Sequence, residues 1–314
     1  SKNIEFTTDN RRVIRESDII FTFVATPSLD DGSYDVSAVW NVVRDIKEEM
    51  TSVANYAKSF VVGCTTNPGD CDKFREQLPE SVDVFYNPEF IAQGTIVKDL
   101  INADIVLICG EGKHRDELAK IYHKIQDKEP SIHFMSAKAG EIVKIAINTY
   151  LTTKISYANM LGQVLYNSGL EEEIDDVLQA IGSDSRIGNK YLKFGFGFGG
   201  PCFPRDNRAF GKYAEKVGIK HNFGYTTDNF NNEHAKFIKD YFIKANVEKI
   251  PFLFESVAYK EGTDILTESQ QYRLCLDLLD EGYEVYVNDD RIKDRCDGRI
   301  KFDHSDEHVF LVLL

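Results

Sequence analysis

The stretch SFVVGCTTNPGD, residues 59–70, runs an apolar strand directly into a polar loop. Its first half is β-branched and aromatic, as a buried strand requires, and its second half carries the Asn, Pro, Gly and Asp of a turn. The same texture recurs in DIIFTFVATP (18–27), VDVFYNP (82–88), DIVLICG (104–110) and SIHFMS (131–136). Helical periodicity lies between some of these runs, in DVSAVWNVVRDIKEEM (35–50), with Asp35 as its N-cap, and in DELAKIYHKIQDK (116–128). Strands alternating with helices predict a mostly parallel α/β sheet.

Outward from that region the texture changes. Ser136 to about Gly169 reads as one long helix with no proline, followed by a second helix in EEEIDDVLQAIG and a third in NFNNEHAKFIKDYFIKA (229–245). Alternation resumes with IPFLFESVAY (250–259), ESQQYRLCLDLLDEGY (268–283), EVYVND (284–289) and VFLVLL (309–314). The expected fold class is therefore α/β: two Rossmann-like parallel-sheet domains joined by a long central helix and a helical region. The expected divisions are 1–135, 136–228 and 229–314.

Bulk properties exclude several roles. A net charge of −14 over 314 residues argues against nucleic acid or an anionic membrane as the main partner. No apolar run approaches the roughly 20 residues that span a bilayer, and the N-terminal SKNIEFTTDNRR lacks a signal-peptide apolar block. The six cysteines form no CxxC pair and no ligand spacing with the seven histidines. They read as thiols of a reducing compartment, the cytoplasm, with no metal.

One cysteine is framed. GFGFGGPCFPRD (195–206) places Cys202 after a glycine run and between two prolines. The run contains GxGxxG at Gly195, Gly197 and Gly200, but it follows a helical region and is closed by Pro201. A dinucleotide loop follows a strand and opens a helix, so here the glycines signal close backbone approach instead. Lys144 and Asn148 are four residues apart on the long helix, and Cys202 and Asp206 repeat the offset. If the four converge, thiol, ammonium, amide and carboxylate suit oxidation through a covalent sulfur adduct. Ligands of open parallel sheets sit beyond the strands' carboxyl ends, at ATPSLDDGSYD, CTTNPGD and NPEFIAQG.

These residues resemble the UDP-glucose/GDP-mannose dehydrogenases. VATPSLDDGSYDVSAV, NPEFIAQGTIVKDL, EIVKIAINTYLTTKISYANM, SRIGNKYLKFGFGFGGPCFPRD and AYKEGTD…ES match the family's segments in order, over nearly the whole chain. The resemblance is nearest to the branch acting on UDP-glucose. It implies oxidation of UDP-glucose to UDP-glucuronate with consumption of two NAD+. It implies that Cys202 forms a thiohemiacetal and then a thioester, that Lys144 stabilises the oxyanion, and that Asn148 and Asp206 position or activate water. It places Thr65 and Glu89 near the cofactor and the reacting carbon. Thr26 and Pro27 fall in the loop against NAD. Tyr191, Gly199 and Lys260, with Lys144 and Asn148, are implied substrate contacts. Arg186 matches an arginine that reaches a neighbouring subunit's substrate, implying a homodimer or larger assembly.

The chain also departs from the family. It lacks the opening strand–GxGxxG–helix unit, beginning about where the family's fourth strand starts, at IEFTTD, and stopping in VFLVLL before the usual end. Both outer domains are therefore expected to be incomplete. Gln93, beside the cofactor, stands where glutamate is usual, Pro201 where serine is, Arg205 where lysine is, and Thr267 where arginine often precedes Glu-Ser. Alternatives are a non-catalytic sugar-nucleotide-binding or structural descendant, or an enzyme acting on GDP-mannose or a UDP-N-acetyl-hexosamine.

Overall fold

Strand β2 (Lys58–Val62) is buried at every residue, because both faces of its sheet are covered. Phe60 and Val62 point into one apolar cluster and Val61 into another on the opposite face. The computed structural model describes residues 4–52, 57–91, 94–302 and 311–313. They divide into two compact units, 1–145 and 146–314.

In the first unit β2 lies between β1 (Ile19–Thr22) and β3 (Val82–Tyr86), followed by β4 (Val106–Cys109) and β5 (Ile132–Met135), in spatial order β1-β2-β3-β4-β5. The pairs β1–β2, β2–β3 and β4–β5 are parallel. The β3–β4 pair is antiparallel and registers Tyr86 opposite Cys109, a departure from an all-parallel sheet. Asn87 spans that junction: its amide donates to the Leu107 carbonyl (2.6 Å) and its oxygen accepts from the Tyr122 hydroxyl (2.6 Å). The unit's helices are α1 (Asn10–Glu16), α2 (Ser37–Ser52), α3 (Asp70–Gln77), α4 (Ile96–Ile101) and α5 (Arg115–Ile125).

Two local expectations change. Asp35 lies just ahead of α2, where its carboxylate accepts from the Ser37 N–H (2.9 Å). The segment IEFTTD forms no strand: Ile4 and Phe6 are 68% and 94% exposed, and Asp9 caps α1 by accepting from Arg12 N–H. Among the described residues, strand β1 stands at one edge of the sheet.

The proline-free run forms α6 (Ala137–Asn167), 31 residues passing from the first unit into the second. The second unit continues with α7 (Ile174–Gly182), α8 (Phe203–Lys216), α9 (Phe223–Ala245) and α10 (Gln270–Asp280). Its sheet has order β7-β6-β8, from β6 (Phe252–Phe254), β7 (Val285–Val287) and β8 (Leu311–Leu313), all parallel.

Candidate functional site

In the first unit the three polar loops at the strand ends are stitched into one rim. Thr26 is buried and Pro27 exposed after β1, and the Pro27 carbonyl accepts from Asp35 N–H (2.8 Å). Tyr34 N–H donates to the Asn67 side-chain oxygen (2.8 Å), and the Asn67 amide donates back to the Tyr34 carbonyl (3.0 Å). The loop after β1 is thereby fixed to the loop after β2. Of the two threonines there, Thr65 is half-buried, while Thr66 is buried and committed to Glu141 on α6 (2.8 Å). The loop after β3 carries Glu89, whose carbonyl accepts from Lys144 Nζ. The ammonium also sits 4.6 Å from the centre of the Phe90 ring. Partial burial pushes the Glu89 carboxyl above its ordinary value, and Lys144 opposes the shift. Gln93 lies outside the described residues.

In the second unit Cys202 is exposed and stands as the N-cap of α8, with its carbonyl accepting from Asp206 N–H (2.8 Å). The N-cap position puts this residue at the positive end of the helix dipole. Pro204 occupies the first turn of α8, where no N–H is needed. Asp206 is 1% exposed and accepts from the Asn148 amide (2.6 Å) and, more weakly, from Arg205 Nε (3.4 Å). The structure thus brings Asn148, Asp206 and the backbone of Cys202 together. Lys144 lies on the same helix as Asn148, one turn earlier, within the first unit.

The glycine run before Cys202 is clamped from several sides, which explains its composition. Asn159 accepts from Gly195 N–H (3.0 Å), and His234 Nε2–H donates to the Gly195 carbonyl (2.7 Å). His234 Nδ1 takes the Gln163 amide (2.7 Å); its burial lowers its proton affinity and keeps the ring neutral. Asn231 accepts from Phe198 N–H (2.9 Å) and donates to the Phe198 carbonyl (2.8 Å). A Cβ at Gly199 would stand 2.3 Å from the Glu268 carbonyl oxygen, and one at Gly200 2.3 Å from the Tyr259 ring. The run serves close packing and is no dinucleotide loop.

Beside it lies a cavity of about 480 Å³. Tyr191, Lys193 and Phe194 line it from the loop, Ile155 from α6, and Ile238, Tyr241 and Phe242 from α9. Tyr191 holds a left-handed backbone (φ 63°), unusual for an aromatic residue and typical of functional loops. Arg186 does not line this cavity; its side chain is 86% exposed and its guanidinium grips Asp184 (2.6 Å). Lys260 is exposed in the loop after β6.

Glu141, Asn159, Asn231 and His234 are absent from the sequence-based candidates. Their only sequence signal is a polar residue at a core-facing helical position, and that is recognisable only once the packing is known. Among the described residues no cluster of His, Cys, Asp or Glu could hold a metal ion, no helix is long and apolar enough to cross a membrane, and all six cysteines are unbridged.

Residues 1–126 match the NAD-binding domain of the UDP-glucose/GDP-mannose dehydrogenase family, and residues 138–233 match its central domain. A UDP-glucose 6-dehydrogenase of Haloferax volcanii is 30% identical over 293 residues, covering 89% of this chain and 67% of that protein. A putative UDP-glucose 6-dehydrogenase of Bacillus subtilis is 28% identical over 304 residues, covering 91% and 68%. In fold, the chain is similar to a UDP-glucose dehydrogenase of Pyrobaculum islandicum (TM-score 0.84, 24% identity, 96% of this chain and 71% of that one). It is also similar to a UDP-D-ManNAc dehydrogenase of Pyrococcus horikoshii (TM-score 0.74, 20% identity, 96% and 70%). With both domain models matched in order along a chain that carries the stitched rim and the framed cysteine, the protein belongs to the UDP-glucose/GDP-mannose dehydrogenase family, whose members are NAD-dependent nucleotide-sugar dehydrogenases.

Proposed function

We propose that the protein oxidises UDP-glucose to UDP-glucuronate through a covalent adduct on Cys202. The observation that carries this reading is the joining of the Asn148–Asp206 pair to the backbone of Cys202 behind a clamped glycine loop. In the proposed course the Cys202 sulfur adds to the aldehyde carbon as its S–H bond breaks, and that proton passes to the aldehyde oxygen, giving a thiohemiacetal. Lys144 balances charge on that oxygen. Loss of the carbon-bound hydride and the O–H proton would raise the thiohemiacetal to a thioester; a water then adds to the carbonyl carbon, the C–S bond breaks, one water proton returns to sulfur and the other is released with the carboxylate. Asn148 and Asp206 hold that water. Tyr191, Gly199, Lys260 and the aromatic cavity take the sugar nucleotide, and Tyr241 and Phe242 offer flat apolar surface for a base.

For NAD the residues fit in part. Thr26, Pro27, Thr65 and Glu89 form a polar rim at the carboxyl ends of parallel strands, suited to ring and ribose groups. The strand–GxGxxG–helix unit that cradles a pyrophosphate does not occur in these 314 residues. When bound, NAD+ supplies the hydride acceptor for both oxidations. In this reading 1–135 serves the cofactor, 136–228 the nucleophile and 229–314 the sugar nucleotide. The outward Arg186, and the exposed Tyr150, Tyr157, Met160 and Val164 recurring along α6, support a homodimer or larger assembly.

The test is the yield of NADH with UDP-glucose limiting and NAD+ in excess. Two NADH per sugar nucleotide are expected, and Cys202→Ser is expected to abolish thioester turnover. Undiminished UDP-glucuronate from the variant would remove Cys202 from the mechanism. Turnover of GDP-mannose or a UDP-N-acetyl-hexosamine in place of UDP-glucose would move the substrate within the family.

A further inference from the structure

Glu141 is 0% exposed, yet it carries a carboxylate into the largely apolar interior of the first unit. Its hydrogen-bond partners among the described residues come from one short segment. Thr66 Oγ1–H and Cys71 N–H donate to one oxygen (2.8 and 2.9 Å), and Gly69 N–H donates to the other. Gly69 is left-handed (φ 96°) and has no side chain with which to cap α3. Glu141 performs that capping from a helix 72 residues further along. A buried carboxylate is an expensive way to fill space, and an apolar residue would serve packing better.

We propose that Glu141 is a positioning residue for the cofactor rim, fixing the 63–69 loop to α6 and so setting where Thr65 stands relative to Glu89 and Lys144. The proposal rests on the dinucleotide reading of that rim. The hydrogen bonds form a chain. Tyr34 and Asn67 join the first loop to the second, Glu141 joins the second to α6, and Lys144, one turn on, joins α6 to the Glu89 carbonyl. Without Glu141 the chain opens at its centre, freeing Thr65 and, through Asn67, the Thr26–Pro27 loop.

Several titratable groups face the carboxylate. They are Cys71 from α3, Tyr86 from β3 and Cys109 from β4. Burial holds all three above their ordinary values, so they stay protonated through neutral pH. Asp70, beside Cys71, is engaged by Lys73 (2.8 Å) and Asn67 (2.8 Å), and the Lys138 side chain lies over Gly69. Burial lifts the Glu141 carboxyl to about 6. Of Glu141, Cys71, Tyr86 and Cys109, Glu141 alone changes charge near that pH.

The test compares the full chain with Glu141→Gln and Thr66→Val. It reads KM for NAD+, KM for UDP-glucose, kcat, and hydrogen exchange of the 64–71 amides without ligand. Gln keeps the shape but turns an NH2 toward Gly69 or Cys71 N–H. Glu141→Gln is expected to raise KM for NAD+ about tenfold, with KM for UDP-glucose within about twofold, and to speed exchange at Gly69 and Cys71. Thr66→Val, which removes one bond, should raise KM for NAD+ by about two- to threefold. In the unsubstituted protein KM for NAD+ should climb as pH falls below about 6, and in Glu141→Gln it should stay flat. Faster exchange with unchanged NAD+ dependence, or equal rises in both KM values, would overturn the proposal. If no nucleotide sugar is turned over, the proposed function fails, and NAD+ titration calorimetry on the same proteins decides the role of Glu141. An unsubstituted protein that binds no NAD+ would overturn both. If Glu141→Gln does not fold, Thr66→Val and the pH profile of the unsubstituted protein carry the test.

Discussion

A single buried carboxylate makes this protein's stability depend on pH in a way that can be signed. Burial raises Glu141 from its ordinary 4.5 to about 6, against the pull of its hydrogen bonds. Between those values the folded chain holds more protons at Glu141 than the unfolded chain does. Its contribution to stability is therefore complete below pH 4.5 and is lost as pH rises through about 6, amounting to about 2 kcal/mol. Urea midpoints should show the stability of Glu141→Gln relative to the unsubstituted protein improving by that order across this window. A constant difference would mean that Glu141 does not titrate there. Asp206 is likewise a buried carboxylate held by a partner. Asn148→Leu removes a 2.6 Å donor from a carboxylate that is 1% exposed, and should cost about 1–3 kcal/mol by urea titration. The four-residue offsets of Lys144 with Asn148 and of Cys202 with Asp206 mark them in the sequence as candidates. Glu141 carries no such mark, since EIVKIAINTY reads equally well with its glutamate on a solvated face.

Helices and loops were legible to the extent that their determinants are local. The long α6 follows from periodicity and the absence of proline, and β2 from its β-branched run. Helix α3, DCDKFREQ, has only eight residues, and its N-terminus is capped by a side chain from α6. Its existence therefore depends on a contact that no sequence window contains. The antiparallel β3–β4 pair was equally hidden, because alternation has the same period in either direction. Glycine positions test the loop account directly. Gly199→Ala drives a Cβ to 2.3 Å from the backbone oxygen of Glu268, and should cost about 1–3 kcal/mol as well as nucleotide-sugar affinity. Gly298→Ala meets nothing within 4 Å and should leave the urea midpoint unchanged or raise it slightly. Equal effects of the two changes would remove close packing as the reason for the glycine run.

At the scale of the molecule, the proposed assembly makes its own prediction. If Arg186 completes a neighbouring copy's site, Arg186→Ala and Cys202→Ser are each inactive as pure proteins. Mixed and re-associated in equal amounts as a dimer, they should recover about a quarter of the original activity. No recovery from a confirmed mixed dimer would place Arg186 in its own subunit's chemistry or outside the reaction. The sequence by itself determined the α/β class, the central helix, the framed cysteine and the family, because periodicity and ordered motifs are properties of the chain. Only the tertiary structure decided that three loops separated along the chain form one hydrogen-bonded rim, that Glu141 is its central tie, and that Asn159, Asn231 and His234 clamp the glycine run. Those facts are contacts between distant segments, and a buried polar group declares its purpose only through the partner that compensates its lost water.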